Sequence, residues 1–224
     1  MFFPSLLAVA AAAALPLTSA SVLAERSTSG IATWYGGAVG ACSFDGYTYP
    51  TGVYGTALGL NMWDTAAQCG ACVSITNKSG KKITAMIVDE CPGGCAGKTF
   101  DLFPTAFSSL ALPSTGEIPV TWDYITCPIT TPFILRTKTG SSQYWFAIQV
   151  YNANQAITKL EVSGDNGKTW KSAVRQTYNY WLLASGTDGK TTVQIRVTAK
   201  NGKVVVTKNV PTAEGKKVTA ASNF

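Results

Sequence analysis

The sequence predicts a mainly β protein made of two β-rich halves. Three observations predict it. Short runs of alternating β-branched and aromatic residues recur between Asn-Gly and Asp-Gly turns. All six cysteines lie before residue 128. Charge changes sign at the same place: residues 25–128 hold five Lys/Arg against eight Asp/Glu, net −3, and residues 129–224 hold thirteen against four, net +9. The segment Cys127-Pro128-Ile129-Thr130-Thr131-Pro132 carries two prolines in its last five residues and reads as a short, stiff connection. The expected division is therefore residues 25–128, a linker over 129–132, and residues 133–224.

Composition narrows the chemistry. Charged residues make up 13% of the 224 residues, well below the usual quarter, which excludes a disordered or acidic-tail protein. Histidine is absent. A Ser-His-Asp triad, a His-ligated metal and an imidazole pH switch are excluded with it. Acid–base chemistry falls to seven Asp and five Glu.

Residues 1–24 carry no charged side chain, hold an apolar stretch from Leu6 to Leu17 and then small residues. They read as a secretory signal peptide, although the usual N-terminal Lys or Arg is missing, and the apolar run is short for a membrane span. The expectation is a secreted, extracellular, soluble protein without a membrane partner. In that setting Cys42, Cys69, Cys72, Cys91, Cys95 and Cys127 predict three disulfides, with fifteen pairings open. The competing reading is zinc, from the spacings Cys69-x2-Cys72 and Cys91-x3-Cys95.

Along the first half, Ile75 and Ile83 flank the turn Asn77-Lys78-Ser79-Gly80, predicting a hairpin. Asn77-Lys78-Ser79 is also a glycosylation sequon, and Asn77 a candidate acceptor. Ile83 to Val88 reads as a buried strand ending at Asp89. Pro104 to Leu110 predicts a short helix with proline at its first position. Over Ile118 to Tyr124 the alternation places Val120, Trp122 and Tyr124 on one face. In the second half Val193, Ile195, Val197 and Ala199 alternate with polar residues, turn at Asn201-Gly202 and return through Val204 to Thr207. Asp165-Asn166-Gly167 and Asp188-Gly189 mark further turns, and the spacing suggests a small sandwich. Trp170 and Trp181 read as core aromatics; Tyr151 fits either role.

The candidate chemistry lies between Asp89 and Asp101. A Gly-rich loop, Glu90 to Lys98, separates them, and Asp101 precedes the helix. Two such carboxylates can serve as acid and base on a glycosidic bond. The plainer reading is that each braces a turn.

An ordered set of motifs crosses both halves: Gly30-Ile31-Ala32-Thr33-Trp34-Tyr35-Gly36, Gly40-Ala41-Cys42, Cys69-Gly70-Ala71-Cys72, Val88-Asp89, Thr99-Phe100-Asp101-Leu102, Lys138-Thr139-Gly140-Ser141-Ser142-Gln143-Tyr144-Trp145 and Ala147-Ile148-Gln149-Val150. In this order they resemble the expansins, and microbial, cysteine-bearing expansins of fungal type in particular. The resemblance implies a six-stranded double-psi β-barrel followed by an immunoglobulin-like β-sandwich, the latter a family 63 carbohydrate-binding module. It implies the pairs Cys42–Cys69, Cys72–Cys127 and Cys91–Cys95. It implies loosening of cell walls without cleavage, through a barrel groove lined by Thr33, Tyr35, Asp89 and Asp101. Asp101 matches the catalytic acid of related endoglucanases. Their general base follows the aromatic pair that is Trp34-Tyr35 here, where this chain has Gly36. An inverting hydrolase needs a second carboxylate at roughly 6.5–9.5 Å to activate water, so the missing base argues for binding over hydrolysis. Two departures stand out: Thr99 replaces the family's frequent His, and Cys91 occupies a position where bacterial members carry Tyr.

For the second half the resemblance implies a sugar-binding platform of Tyr144, Trp145 and Tyr178 with Lys138 nearby. Aromatic faces cover the flat C–H faces of sugar rings. A parity problem accompanies it, because neighbours on a regular strand face opposite ways, so Tyr144 and Trp145 share a surface only if the strand starts or bulges there. The expected partners are cellulose and other wall polysaccharides, with acidic pectin attracted by the basic half and no nucleic acid. No cofactor or metal is expected, and the chain is expected to be a monomer. The rival readings are an endoglucanase with Asp101 as acid and Asp45 or Asp64 as a substitute base, and a plain carbohydrate-binding protein.

Overall fold

The computed structural model describes residues 27–37, 40–93, 95 and 99–224. The expected signal segment, residues 1–24, lies outside the described residues.

Strands β1 (Thr28–Trp34), β2 (Val53–Gly59), β3 (Cys72–Asn77), β4 (Lys82–Cys91), β5 (Thr99–Leu102) and β6 (Ile118–Ile125) close into a barrel in the order β1-β5-β2-β4-β3-β6. Two pairs within it, β1–β5 and β2–β4, are parallel. Helix α1 (Pro104–Leu110) has proline in its first turn, where no N–H is needed, and buries Ala106, Phe107 and Leu110. These three seal the barrel core with Leu58, Ile75, Ile87, Phe100 and Trp122. The hairpin β3–β4 turns through residues 78–81 as its sequence requires, with Gly80 at φ 83° and the Asn77 side-chain carbonyl accepting from the Ser79 and Lys81 N–H groups.

The second half begins with β7 (Ile134–Thr137) and β8 (Phe146–Tyr151). It continues through β9 (Ile157–Ser163), β10 (Lys171–Ser172), β11 (Val174–Arg175) and β12 (Trp181–Leu183) to β13 (Thr192–Ala199), β14 (Val204–Pro211) and β15 (Lys217–Thr219). A four-stranded sheet, β10-β9-β13-β14, faces a five-stranded sheet, β11-β12-β8-β7-β15. Val193, Ile195, Val197 and Ala199 are all buried, because period-two alternation puts them on the inner face. Phe133, Phe146, Leu160 and Trp181 complete that core.

Two expectations need correction, Trp170 as a core aromatic and Asp89 as the end of its strand, while Tyr124 keeps the expected face. Trp170 is only half-buried. It closes the turn after β9, donates its indole N–H to the Gly167 carbonyl at 3.1 Å and lies under the Arg196 guanidinium at 4.3 Å. Stacking on a cation lets its ring stay at the surface. Tyr124 shares the face of Val120 and Trp122 but is 43% exposed. The strand outruns the core there, and Tyr124 leans edge-on against the outer side of Trp122 with the Lys200 ammonium 5.0 Å above its ring. Strand β4 does not end at Asp89 but runs on to Cys91.

The sulfurs join as Cys42–Cys69, Cys72–Cys127 and Cys91–Cys95. Cys69 and Cys72 belong to different bridges, so neither zinc-like spacing offers free thiolates.

The two halves are bolted together by polar contacts, buried at Cys42 and partly or fully exposed at the rim. The Cys42 carbonyl accepts from the Gln149 side-chain amide at 2.8 Å and from that of Asn179 at 3.1 Å. Gln149 is fully buried, and Asn179 sits at φ 60°, a left-handed conformation that asparagine tolerates. The Tyr47 hydroxyl donates to Asn152 at 2.9 Å, and Arg136 donates to the Asp45 carbonyl at 3.0 Å. Tyr151 is buried in this seam against Phe44 and Tyr47.

Candidate functional site: a barrel groove and an aromatic track

The groove follows from strand register. Parallel pairing of β1 with β5 sets Thr33 beside Asp101, and the Thr33 hydroxyl donates to an Asp101 carboxylate oxygen at 2.7 Å. On the other side of β5, Ala57 of β2 pairs with Asp101, and the same Ala57 pairs with Asp89 of β4. The two aspartates therefore stand on either side of one strand, with α-carbons separated by two interstrand spacings, about 10 Å. That alignment depends on a bulge. Register shifts by one between Thr56/Ile87 and Ala57/Asp89, which leaves Val88 unpaired and sets Asp89 level with Asp101 across Ala57.

Asp89 is held by its surroundings. One carboxylate oxygen accepts the Ala41 N–H at 2.7 Å and the Glu90 N–H at 2.9 Å; the other accepts the Tyr35 hydroxyl at 3.3 Å. Gly40 makes room for it: a β-carbon there would lie 2.3 Å from Asp89 Cγ. Burial, then the neighbouring Asp89 and Asp101 carboxylates, raises the Tyr35 pKa far above the ordinary tyrosine range, so its phenol keeps the proton it donates. The Cys91–Cys95 bridge borders the site, its sulfurs within 4.8 Å of an Asp101 oxygen.

The suggested substitute bases lie elsewhere. Asp45 faces Arg136 and Tyr151 of the sandwich, and Asp64 lines a separate cleft beside Tyr124. Around Gly36, where related endoglucanases place their base, no atom of the described residues stands within 4 Å of a β-carbon position.

The proposed sugar platform avoids the parity problem. Strand β8 starts at Phe146, so Tyr144 and Trp145 belong to the bend before it. The Ser142 hydroxyl accepts from both their N–H groups, at 3.2 and 3.4 Å, and the Trp145 carbonyl accepts from the Ser142 N–H at 2.8 Å. Gly186, at φ 68°, backs this bend so closely that a β-carbon would lie 2.4 Å from the Gln143 carbonyl oxygen. Tyr144 is 74% exposed and Trp145 half-buried. Tyr178 is half-buried beside Tyr180, and the Lys138 ammonium sits 5.7 Å from each of those two rings.

Sequence reasoning missed an aromatic train that runs from the Tyr35 side of the barrel into the interdomain seam. From Tyr35 a train of rings runs through Phe103, Tyr49 and Tyr47 to Tyr151, with centroid steps of 5.7, 5.9, 5.4 and 6.0 Å. Tyr178 and Tyr180 form a separate ring pair at 5.9 Å. The only local signal was Tyr47-Thr48-Tyr49, two aromatics at same-face spacing.

Known proteins share this architecture. A family model described as lytic transglycolase matches residues 27–122, and one described as expansin C-terminal domain matches residues 135–211. Expansin-like protein 5 of Dictyostelium discoideum is 31% identical over 173 residues, covering 74% of this chain and 71% of that one. Expansin-like protein 3 of the same organism is 29% identical, with 54% of its length covered. Expansin-YoaJ of Bacillus subtilis is 35% identical over 140 residues, 62% of this chain and 58% of that one. The crystal structure of an apo expansin from Clavibacter michiganensis superposes with a TM-score of 0.78 at 29% identity, covering 89% of this chain and 98% of that one. A point mutant of that protein, solved in complex with cellohexaose, superposes equally well at 28% identity.

Proposed function

The chain belongs to the expansin family, and from that premise we propose that it is a secreted, monomeric protein that loosens cell walls without cutting them. The sandwich holds cellulose or a related glucan through Tyr144, Trp145 and Tyr178. The barrel groove, with Thr33, Tyr35, Asp89 and Asp101, engages a single chain and lowers the barrier to its slippage past neighbours. The basic second half adds attraction for acidic pectin, which salt weakens. The cellohexaose bound to the related bacterial expansin supports a β-glucan as the ligand class.

The observation that carries the non-lytic reading is the condition of the second carboxylate. Asp101 accepts the Thr33 hydroxyl, and Asp89 accepts three hydrogen bonds from the protein itself. These bonds take three of the roughly four acceptor sites of the carboxylate and weaken Asp89 as a base, and Gly36 offers no carboxylate in its place.

The deciding experiment measures wall extension and reducing-sugar release together, on wild type and Asp101→Asn. Extension without sugar release, lost in the variant, is expected. Sugar release by wild type that disappears in Asp101→Asn would make the protein an endoglucanase. Cellulose retention with no extension by wild type would leave a binding protein alone.

A further inference from the structure

A cleft of about 730 Å³ opens between barrel and sandwich and shares no lining residue with the groove or the platform. Its volume is in the range of sites that hold small ligands. The barrel lip carries Tyr124, Asp64 and Gln68; the sandwich lip carries Lys200, Arg175 and Thr158.

Two features of its walls point to the kind of ligand. Tyr124 presents an exposed aromatic ring, which suits the C–H face of a sugar, with the Lys200 ammonium 5.0 Å above it. The cleft also gathers two cations without counter-ions. Among the described residues neither Lys200 nor Arg175 forms an ion pair with a carboxylate. Arg175 instead donates to the Ala66 and Ile157 carbonyls and stacks on Trp181 at 4.5 Å. Burial lowers its pKa to about 10, the mark of a cation desolvated without a compensating anion. Asp64 and the Gln68 and Thr158 side chains supply acceptors and donors for hydroxyl groups.

We propose that this interdomain cleft binds an acidic oligosaccharide, a uronic-acid ring taking the place of the exposed Lys200 ammonium over Tyr124, with its carboxylate drawing Lys200 aside and facing Arg175. The two cations favour an acidic sugar over a neutral glucan, and a ligand seated there would touch both halves at once. The site extends the proposed attraction for acidic pectin to a specific place, and it stands or falls apart from the cellulose platform.

Titration calorimetry on the full chain tests it, with trigalacturonate and cellotriose as probes against wild type, Lys200→Gln and Tyr124→Ala. Trigalacturonate is expected to bind wild type, to bind more weakly as salt rises, and to lose roughly tenfold or more in each variant. No binding of trigalacturonate, unchanged affinity in either variant, or cellotriose binding that the variants abolish would each overturn the assignment. Lys200 is exposed, so Lys200→Gln carries the test if Tyr124→Ala lowers the melting temperature. Trp145→Ala serves as the separating control: loss of cellulose retention with trigalacturonate binding intact keeps this site distinct from the platform.

Discussion

Replacing Gly40 by alanine tests how Asp89 is held. The new β-carbon would lie 2.3 Å from Asp89 Cγ, 2.4 Å from its Cβ and 2.6 Å from Oδ1. Because the Cβ is itself in the way, no rotation of the Asp89 side chain relieves the clash, and the loop before Cys42 must separate from β4. Overpacking of this kind costs about 1–3 kcal/mol. Separation also lengthens the 2.7 Å bond from the Ala41 N–H to the carboxylate, and a hydrogen bond to a charged group contributes about 1.5–3 kcal/mol. The sum is about 2.5–6 kcal/mol. For a protein of this size that lowers the melting temperature by roughly 5–24 °C, at about 2–4 °C per kcal/mol. Gly36→Ala is the matched control, since its β-carbon meets no atom of the described residues within 4 Å. Calorimetric melting of both variants, under conditions that keep the disulfides intact, is the assay. A Gly40→Ala protein melting within about 2 °C of the control would refute the account of a tightly seated Asp89.

Other expectations concern the platform, the missing base and acid stability. Trp145→Ala should abolish retention on cellulose, and Tyr144→Ala should weaken it less, which a pull-down on insoluble cellulose measures; unchanged retention in both would remove the platform assignment. Gly36→Asp introduces a carboxylate into open space beside Tyr35, and any cleavage of soluble glucan it confers, absent in wild type, would show that the base was the missing element. Glu161 accepts two hydrogen bonds from Arg196, at 2.7 and 2.8 Å, and pairs with Lys159, which lowers its pKa to about 2. A depressed carboxyl pKa contributes stability that is present above the ordinary glutamate value and is lost as pH falls from about 4.5 toward 2. On the order of 1–2 kcal/mol is expected after solvent screening. Melting curves of Glu161→Gln against wild type should converge over that interval and differ at neutral pH.

The β class, helix Pro104–Leu110, the inner face of β13 and the turns at Gly80 and Gly202 were all legible in the sequence. Each depends on backbone periodicity or on a residue suited to positive φ, properties confined to a few neighbouring positions. The same local rules failed where burial depends on what lies beyond the element. Tyr124 kept its face but passed the edge of the core, and Trp170 found a cation instead of an interior. The order of strands in a closed barrel is a property of the whole chain, and only that order brings Thr33 against Asp101, 68 residues away, or aligns Asp89 across Ala57 through a bulge at Val88. The choice among fifteen cysteine pairings, the ring train from Tyr35 to Tyr151 and the cleft beside Lys200 follow from that order and from how the sandwich seats on Cys42. No spacing along the chain encodes them, because long-range register is settled by the joint packing of both cores and not by any one segment.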